Sequence, residues 1–353
     1  MSDANKYSSP PPELVALAAS VGANRMWVQG AGGNASAKAD NVLWIKGSGK
    51  WMANAHAEPV FAAVKLSGVR NRMAAKESDP ATPELLPISP EGLRPSIETS
   101  MHALLPHPIV MHVHSVNVIA HSVCAEGLLQ IEQRLKELRW AWVPYVRPGI
   151  DLTHAITHVL QQAPVDVLIL ANHGLVVGGA TCLAVETLLD EVEARLNLPA
   201  RTLPSVDLQA LEELSANTPY RPAPTVELHA MAIDATQRAI AVGGSLYPDH
   251  VVFLGPAVVS LGLDQDIAGL LQARAEAGLD VPAVLLVPDV GVLLRKNLSA
   301  AALAMVDCLA MVLARIPGAL TVRYLTVEQE AALIDWDAEK YRKSLSQAGS
   351  LTM

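Results

Sequence analysis

Three observations predict an α/β protein. Apolar runs of strand length recur along the chain, among them NVLWIK at 41–46 and VDVLILA at 165–171. They alternate with amphipathic stretches of helical period, separated by turns rich in Gly and Pro. Hydrophobic residues make up 51% of the 353, mostly Ala, Val and Leu with Phe only twice, so aliphatic side chains must fill the core. That length suits one large domain or two ordinary ones. The pattern by itself leaves the sheet parallel, antiparallel or mixed.

Taken in order, Pro11 to Val21 reads as a helix, with prolines at its start, Glu13 in the first turn and Leu14, Leu17, Ala18 and Val21 on one face. Trp27 to Gln29 reads as a short strand, followed by a turn from Gly30 to Ser36. Asn41 to Lys46 is the next strand, running into the turn Gly47-Ser48-Gly49. Pro59 to Lys76 has an approximate helical face. Glu77 to Pro95 carries prolines at 80, 83, 87, 90 and 95, which makes it an extended loop. A helix begins at Ser96 as N-cap and places Glu98 and His102 one turn apart on the same face. Pro106 and Pro108 end it.

Ile109 to His114 is strand-like, Ala125 to Arg139 a charged helix, Trp142 to Val146 a short strand and Ile150 to Gln162 a helix with Asp151 at its start. Val165 to Ala171 is continuously apolar, as a strand buried on both faces is. Thr181 to Leu198 is a helix. Pro199 to Pro224 is rich in proline and marks a boundary, giving a first domain at 11–200 and a C-terminal α/β extension at 221–346. Beyond the boundary come a helix at Thr225 to Ala241, a strand at His250 to Leu254 and a helix at Asp264 to Ala277. Strands at Ala283 to Val287 and Val290 to Leu294 follow, then helices at Ser299 to Arg315 and Thr326 to Ser344. No internal repeat is strong enough to assign.

A formal net charge of −9 argues against a partner that must be held by its phosphate backbone, such as a nucleic acid. A small anion remains compatible, because a pocket can be locally positive. The opening MSDANKYSSPPP lacks a basic and then apolar leader, and the apolar window from Ala300 to Leu313 is too short to span a bilayer and contains Asp307. Cys124, Cys182 and Cys308 are odd in number and far apart, as in a reducing cytoplasm. A soluble cytoplasmic protein with no membrane partner is expected.

The chemistry concentrates around His112 and His114. A strand's period of two puts both imidazoles on one face. His173 leaves the buried strand in the turn Asn172-His173-Gly174, and three histidines with one position open form the pattern of a catalytic zinc site. Gly30 to Ala35 also satisfies G-x-G-x-x-A, the dinucleotide fingerprint, but a strand follows where a helix must start, and residues 50–54 hold no acid. What remains is a turn whose small residues let backbone N–H groups and the Asn34 side chain approach a bound anion, although by itself each such turn reads first as a plain glycine turn. Ser48-Gly49 forms a second such turn, with Lys46 and Lys50 nearby.

In order, these motifs are Gly32-Gly33-Asn34-Ala35-Ser36, Ile45-Lys46-Gly47-Ser48-Gly49, Pro95-Ser96-Ile97-Glu98, His112-Val113-His114-Ser115 and Asn172-His173-Gly174. Their sequence resembles the class II aldolase/adducin family, over roughly Glu13 to Leu198. The stretch at 94–99 and Tyr247-Pro248-Asp249-His250 are also similar to the aldolase part of aldolase/dehydrogenase fusions. The resemblance implies a three-layer α/β/α domain with a mostly antiparallel sheet, and a homo-oligomer, a tetramer above all, with active sites between subunits. It implies His112, His114 and His173 as ligands of Zn2+, with Mn2+ or Co2+ as alternatives. It makes Glu98 the acid/base and Gly33, Asn34, Ser48, Gly49 and Ser96 the residues that bind the substrate's anionic end.

The implied reaction is cleavage or formation of a C–C bond in a sugar or sugar phosphate through a metal-stabilised enediolate. An epimerase, decarboxylase or dehydratase would use the same centre, and an adducin-like interaction module would use the fold without catalysis. Two departures stand out. The phosphate aldolases carry Ser-Ser before the glutamate where this chain has Ser96-Ile97, and no tyrosine lies between Ser115 and Arg139 to donate a proton. Tyr145 and Tyr247 are the remaining tyrosine candidates, and His250 reads as a structural turn histidine first and as a residue reaching the site from the C-terminal region second.

Overall fold

The computed structural model describes residues 9–202, 205–262 and 264–334. It separates into two compact units, one formed by residues up to Ser122 with Gly127–Asn197, the other by Val123–Glu126 with the residues from Leu198 onward.

The first unit begins with α1 (Pro12–Ala23). It continues through β1 (Asn34–Ala39), β2 (Val42–Lys46), β3 (Phe61–Lys65), α2 (Leu66–Ala74), α3 (Thr99–Leu104), β4 (Ile109–Val113), α4 (Val116–Ser122) and α5 (Gly127–Leu135). Then come β5 (Trp140–Val143), α6 (Ile150–Leu160), β6 (Val167–Leu170), β7 (Gly174–Gly179) and α7 (Cys182–Leu196). The strands form one seven-stranded sheet in the order β3-β2-β1-β4-β7-β6-β5. Every neighbouring pair is antiparallel except β5 with β6, which is reached through the α6 crossover. Asp40 and Asn41 both take positive φ, 42° and 66°, so a two-residue turn joins β1 to β2.

Apolar residues alternate onto the two faces and draw helices to each. Met111, Val113, Leu175 and Val177 pack with Leu14, Val21, Ile131, Leu189 and Val192, which come from α1, α5 and α7. Val110, Leu168, Leu170 and Val176 pack with Met101, Leu152 and Ile156 of α3 and α6. Leu43, Ile45 and Val64 meet Val69 of α2 and Ala103 of α3. This is the expected three-layer arrangement. A one-residue slip of β4 would drive Met111 and Val113 out of their core and His112 into it. Each large side chain so misplaced costs roughly 1.5–3 kcal/mol, so apolar burial sets the register of the histidines.

Several local expectations fail for identifiable reasons. Residues 27–29 form turn-like chain, and Asn34 to Ser36 already belong to β1. The stretch from Pro59 to Lys76 divides into β3 and α2, because Phe61 to Val64 complete the sheet edge beside β2. Ser96 precedes α3 by a further turn: its Oγ accepts from Glu98 N, and Glu98 is the N-cap position. The stretch from Ala125 to Arg139 is helical only over α5, and α4, just after the His-x-His, went unrecognised.

The second unit contains α8 (Leu208–Ser215), β8 (Tyr220–Pro222), α9 (Val226–Ile233), α10 (Ala235–Gly243), α11 (Pro248–Leu254), β9 (Val259–Ser260) and α12 (Ile267–Glu276). They are followed by β10 (Val284–Val287), β11 (Gly291–Arg295), α13 (Ala300–Leu313) and α14 (Val327–Ile334). The expected strand at His250 to Leu254 is α11, a helix with Pro248 at its start. The helix expected from Thr225 to Ala241 breaks at Asp234, which ends α9 and accepts from Gln237 N to cap α10. The end of the helix expected from Thr326 lies outside the described residues.

The second unit also overturns the absence of a repeat. Its sheet order, β8-β11-β10-β9, reproduces β4-β7-β6-β5, again with only the last pair parallel. The hairpins agree residue for residue. Leu170 pairs with Gly174 as Val287 pairs with Gly291, and Asn172 and Asp289 both take positive φ, 52° and 61°. His173 N donates to Leu170 O and Val290 N to Val287 O, each over 3.1 Å. His112 opposes Val176, and Pro222 opposes Leu293 at the matching position. This half of the fold thus occurs twice, and in the second copy Pro222, Pro224 and Val290 stand where His112, His114 and His173 stand in the first.

Candidate metal centre

β4 lies between β1 and β7, and His112 faces Asn34 on one side and Val176 on the other. His114 follows two residues later on the same face. The β6–β7 turn brings His173 to them. Its backbone requires the neighbours it has: Asn172 adopts the left-handed conformation, and a Cβ on Gly174 would sit 2.4 Å from Val113 O. The three rings lie 4.9–5.1 Å apart between centroids, and one nitrogen from each lies within 4.8 Å of the others. All three residues are buried.

These residues fit a metal ion. His112 Nδ1 donates to Leu175 O at 3.0 Å, which sets the tautomer and leaves Nε2 as the ligand atom. Nitrogen donors from three imidazoles suit zinc, and the set also accepts other first-row divalent ions. Glu98 lies against the same group, with Oε2 3.4 Å from His112 Nε2 and Oε1 3.7 Å from His173 Nε2. Burial raises the proton affinity of this carboxyl. Charge on His112 and His173, the Asn34 hydrogen bond and charge on His114 outweigh that and hold it down to about 2.

Asn34 is placed by β1 and works in three directions. Its Nδ2 donates to Glu98 Oε2 at 2.8 Å and to Ser96 Oγ at 3.1 Å, while Oδ1 accepts from His102 Nε2. That orientation sets the His102 tautomer: Nε2 carries the proton, and Nδ1 accepts from Ser36 Oγ at 2.7 Å. Burial, then charge on Lys38, pushes the His102 pKa well down, consistent with a neutral ring. Ser36 and His102 had no role assigned from sequence. The signals were present: Ser36 shares the face of Asn34 by strand period, and His102 lies one helical turn beyond Glu98.

Of the five expected anion-binding residues, the structure gathers Asn34 and Ser96 around Glu98. Gly33 lies behind His112, where φ is +61° and a Cβ would sit 2.5 Å from His112 O. Gly32 approaches His114 in the same way, a Cβ there lying 2.8 Å from Nδ1. The glycine turn thus serves as close packing for the histidine pair. Ser48 and Gly49 form the neighbouring turn, tied to the 94–96 segment by Ser48 N donating to Arg94 O and Ser96 N to Lys46 O.

The two lysines considered as phosphate partners are engaged elsewhere. Lys46 Nζ donates to Ala31 O and Gly33 O at 2.6 and 3.0 Å, and Lys50 pairs with Glu58 at 2.5 Å. In the second unit, His250 lies in the first turn of α11 and not in a loop turn, buried, with Nδ1 accepting from Leu246 N. Tyr247 is buried beside it.

Comparison with known proteins agrees with the motifs. One curated relative, the "Uncharacterized oxidoreductase YuxG" of Bacillus subtilis, is 33% identical over 184 residues, 48% of this chain and 26% of the relative. The chain therefore spans only about a quarter of that protein's length. A solved N-terminal class II aldolase domain from Thermoplasma acidophilum is 23% identical, with a TM-score of 0.47 over 56% of this chain and 97% of its own. YgbL of Escherichia coli, described as a putative aldolase/epimerase/decarboxylase, is 22% identical, with a TM-score of 0.39 over 57% of this chain and 95% of its own. The model of the class II aldolase and adducin N-terminal domain matches residues 12–199, more than half of the chain, and to that family the chain belongs.

Proposed function

We propose that this chain is a zinc-dependent lyase that cleaves or forms a C–C bond in a sugar or sugar phosphate, and that its metal-binding domain is the first unit. The observation that carries the reading is the convergence of His112, His114 and His173 on one point with Glu98 against the same nitrogen atoms. His112, His114 and His173 would hold a divalent ion, which would supply Lewis-acid stabilisation of negative charge developing beside a carbonyl. The chain's own residues do the rest. Glu98 takes and returns the proton at the reacting carbon. Asn34 and His102 hold its carboxylate at one angle, so that no reorganisation is needed when charge moves.

Gly33, Asn34, Ser48, Gly49 and Ser96 are proposed to receive the far end of the substrate. The engagement of Lys46 and Lys50 favours recognition there by N–H and hydroxyl donors over a fixed cation. Among the described residues Cys124, Cys182 and Cys308 form no disulfide, in keeping with a reducing cytoplasm. No described helix is long and apolar enough to cross a membrane. A homo-oligomer, with a tetramer favoured, completes the proposal, and light scattering of the purified protein tests it.

The decisive experiment pairs metal analysis with turnover of a panel of ketoses and ketose phosphates, following aldehyde, dihydroxyacetone phosphate and carbon dioxide. Glu98→Gln is expected to keep the metal and lose at least about a hundredfold in kcat. Wild-type turnover in that variant with metal bound would rule out Glu98 as the base. Product formation without a new aldehyde would assign the centre to epimerisation, decarboxylation or dehydration.

A further inference from the structure

The second unit has a cavity of about 510 Å³ that the proposed activity does not use. That volume lies within the range of small-molecule sites. Phe253, Val258, Leu279 and Val284 contribute apolar wall, and Arg274 and Arg295 line it with two guanidinium groups. Arg274 Nε donates to Asp280 O and Arg295 Nη1 to Val281 O, each at 3.0 Å. Neither arginine has a carboxylate within 4.0 Å among the described residues, and Arg295 Nε is buried with no hydrogen-bond partner. A partly buried guanidinium with a donor left over is costly unless something accepts from it.

The internal repeat shows what is missing. In the first unit, Gly178 N donates to Asp166 O at 2.8 Å. At the matching place in the second unit, Arg295 N donates to Ala283 O at 3.0 Å. Asp166 is a fixed anion: its carboxylate accepts from Arg139 Nε at 2.6 Å and binds His107 Nε2 at 2.9 Å. The second unit puts the methyl of Ala283 where that carboxylate stands and a guanidinium at the position of Gly178. The arginines therefore face a cavity where the first unit supplies its own counter-charge. Asp280, the one carboxylate on the lining, is exposed, and it leaves the lining with one net positive charge from its two arginines.

We infer that this cavity binds a small organic oxyanion, a carboxylate or a phosphate monoester with an apolar body, between Arg274 and Arg295. Planar guanidinium forks match both groups, and the apolar wall accommodates the remainder of the ligand. It is not a second metal centre, because the copy's equivalents of the three ligands are Pro222, Pro224 and Val290.

The test is calorimetric titration of the full chain with inorganic phosphate and, separately, with hexanoate, at ionic strength matched by sodium chloride. Saturable binding of at least one probe is expected, with Kd raised at least about tenfold in Arg295→Gln. Ala283→Asp restores the fixed carboxylate, so it is expected to abolish probe binding and to raise Tm in probe-free buffer. His173→Asn is expected to bind the probe as the wild type does, which separates this site from the metal centre. Binding of phosphate alone assigns a phosphate monoester, of hexanoate alone a carboxylate, and of both the shared oxyanion. Saturation by neither probe, or wild-type affinity in Arg295→Gln and Ala283→Asp alike, overturns the inference.

Discussion

Asn34 Nδ2 donates to Glu98 Oε2 over 2.8 Å while Oδ1 of the same side chain accepts from His102 Nε2. One amide thus couples the carboxylate to a neutral imidazole that sits outside the ligand set. Replacing it with Asn34→Asp sets two carboxylates side by side in a buried site, and one of them must take up a proton. The expected outcome is a kcat lower by about 10–100-fold with the metal retained, and an acidic limb of the pH–rate profile displaced upward. Steady-state kinetics across pH, with metal content measured on the same samples, checks this.

His102→Ala removes the donor to Asn34 Oδ1 and the acceptor of the Ser36 hydroxyl in a region that is fully buried. Leaving a buried polar group unsatisfied costs about 1–3 kcal/mol, to which the vacated volume adds. Urea unfolding should show a midpoint lowered accordingly. An unchanged midpoint would mean that solvent or another side chain replaces both bonds.

Gly33→Ala places a Cβ 2.5 Å from His112 O on a backbone with φ of +61°. The strain of such a position is of order 1–3 kcal/mol, and relief requires β4 to move. Weaker metal retention than wild type during dialysis against a mild chelator is expected. The stabilisation that metal confers on Tm should shrink in parallel, since only folded protein with an intact site binds it.

Ile97→Ser restores the second hydroxyl before Glu98 at a half-buried position beside Ser96. If the substrate end recognised there is phosphate, KM for a phosphorylated ketose should fall by about tenfold with little change for its unphosphorylated counterpart. Equal effects on both substrates would place the phosphate elsewhere.

His250 is buried, and burial lowers its pKa to about 4. The group is neutral in the folded chain and protonates more readily in the unfolded one, so its contribution to stability is complete above the ordinary histidine value of about 6.5. That contribution is lost as pH falls from there toward 4. Tyr247, Asp249 and Cys308 surround the same interior, and among the described residues no carboxylate is hydrogen-bonded to the ring. His229, lowered in the same direction by burial, adds to the slope. Urea midpoints between pH 4 and 8 should therefore decline on the acid side, and His250→Gln should make the decline shallower.

Much of the candidate metal centre was legible before folding because its parts are local. His112 and His114 share a face by strand period, and Asn172 and Gly174 are the residues a tight turn around His173 demands. Other features were not legible because the deciding partner lies far along the chain. Phe61 to Val64 carry a helix-compatible pattern and become β3 only because β2 offers a free edge. Lys46 looks like a phosphate ligand in sequence, and only the approach of Ala31 and Gly33 turns its ammonium onto backbone carbonyls.

The sequence by itself determined the α/β class and the pairing of the two strand histidines, since each depends on periodicity or backbone chemistry within a few residues. Tertiary structure alone decided that Asn34, Ser36 and His102 form the support of Glu98. It also revealed the copy of half the fold, in which Pro222, Pro224 and Val290 replace the three histidines. The physical reason is the same in both cases. Strand pairing conserves backbone register, which side-chain identity does not reveal, and burial assigns each polar group a partner that only proximity in space can supply.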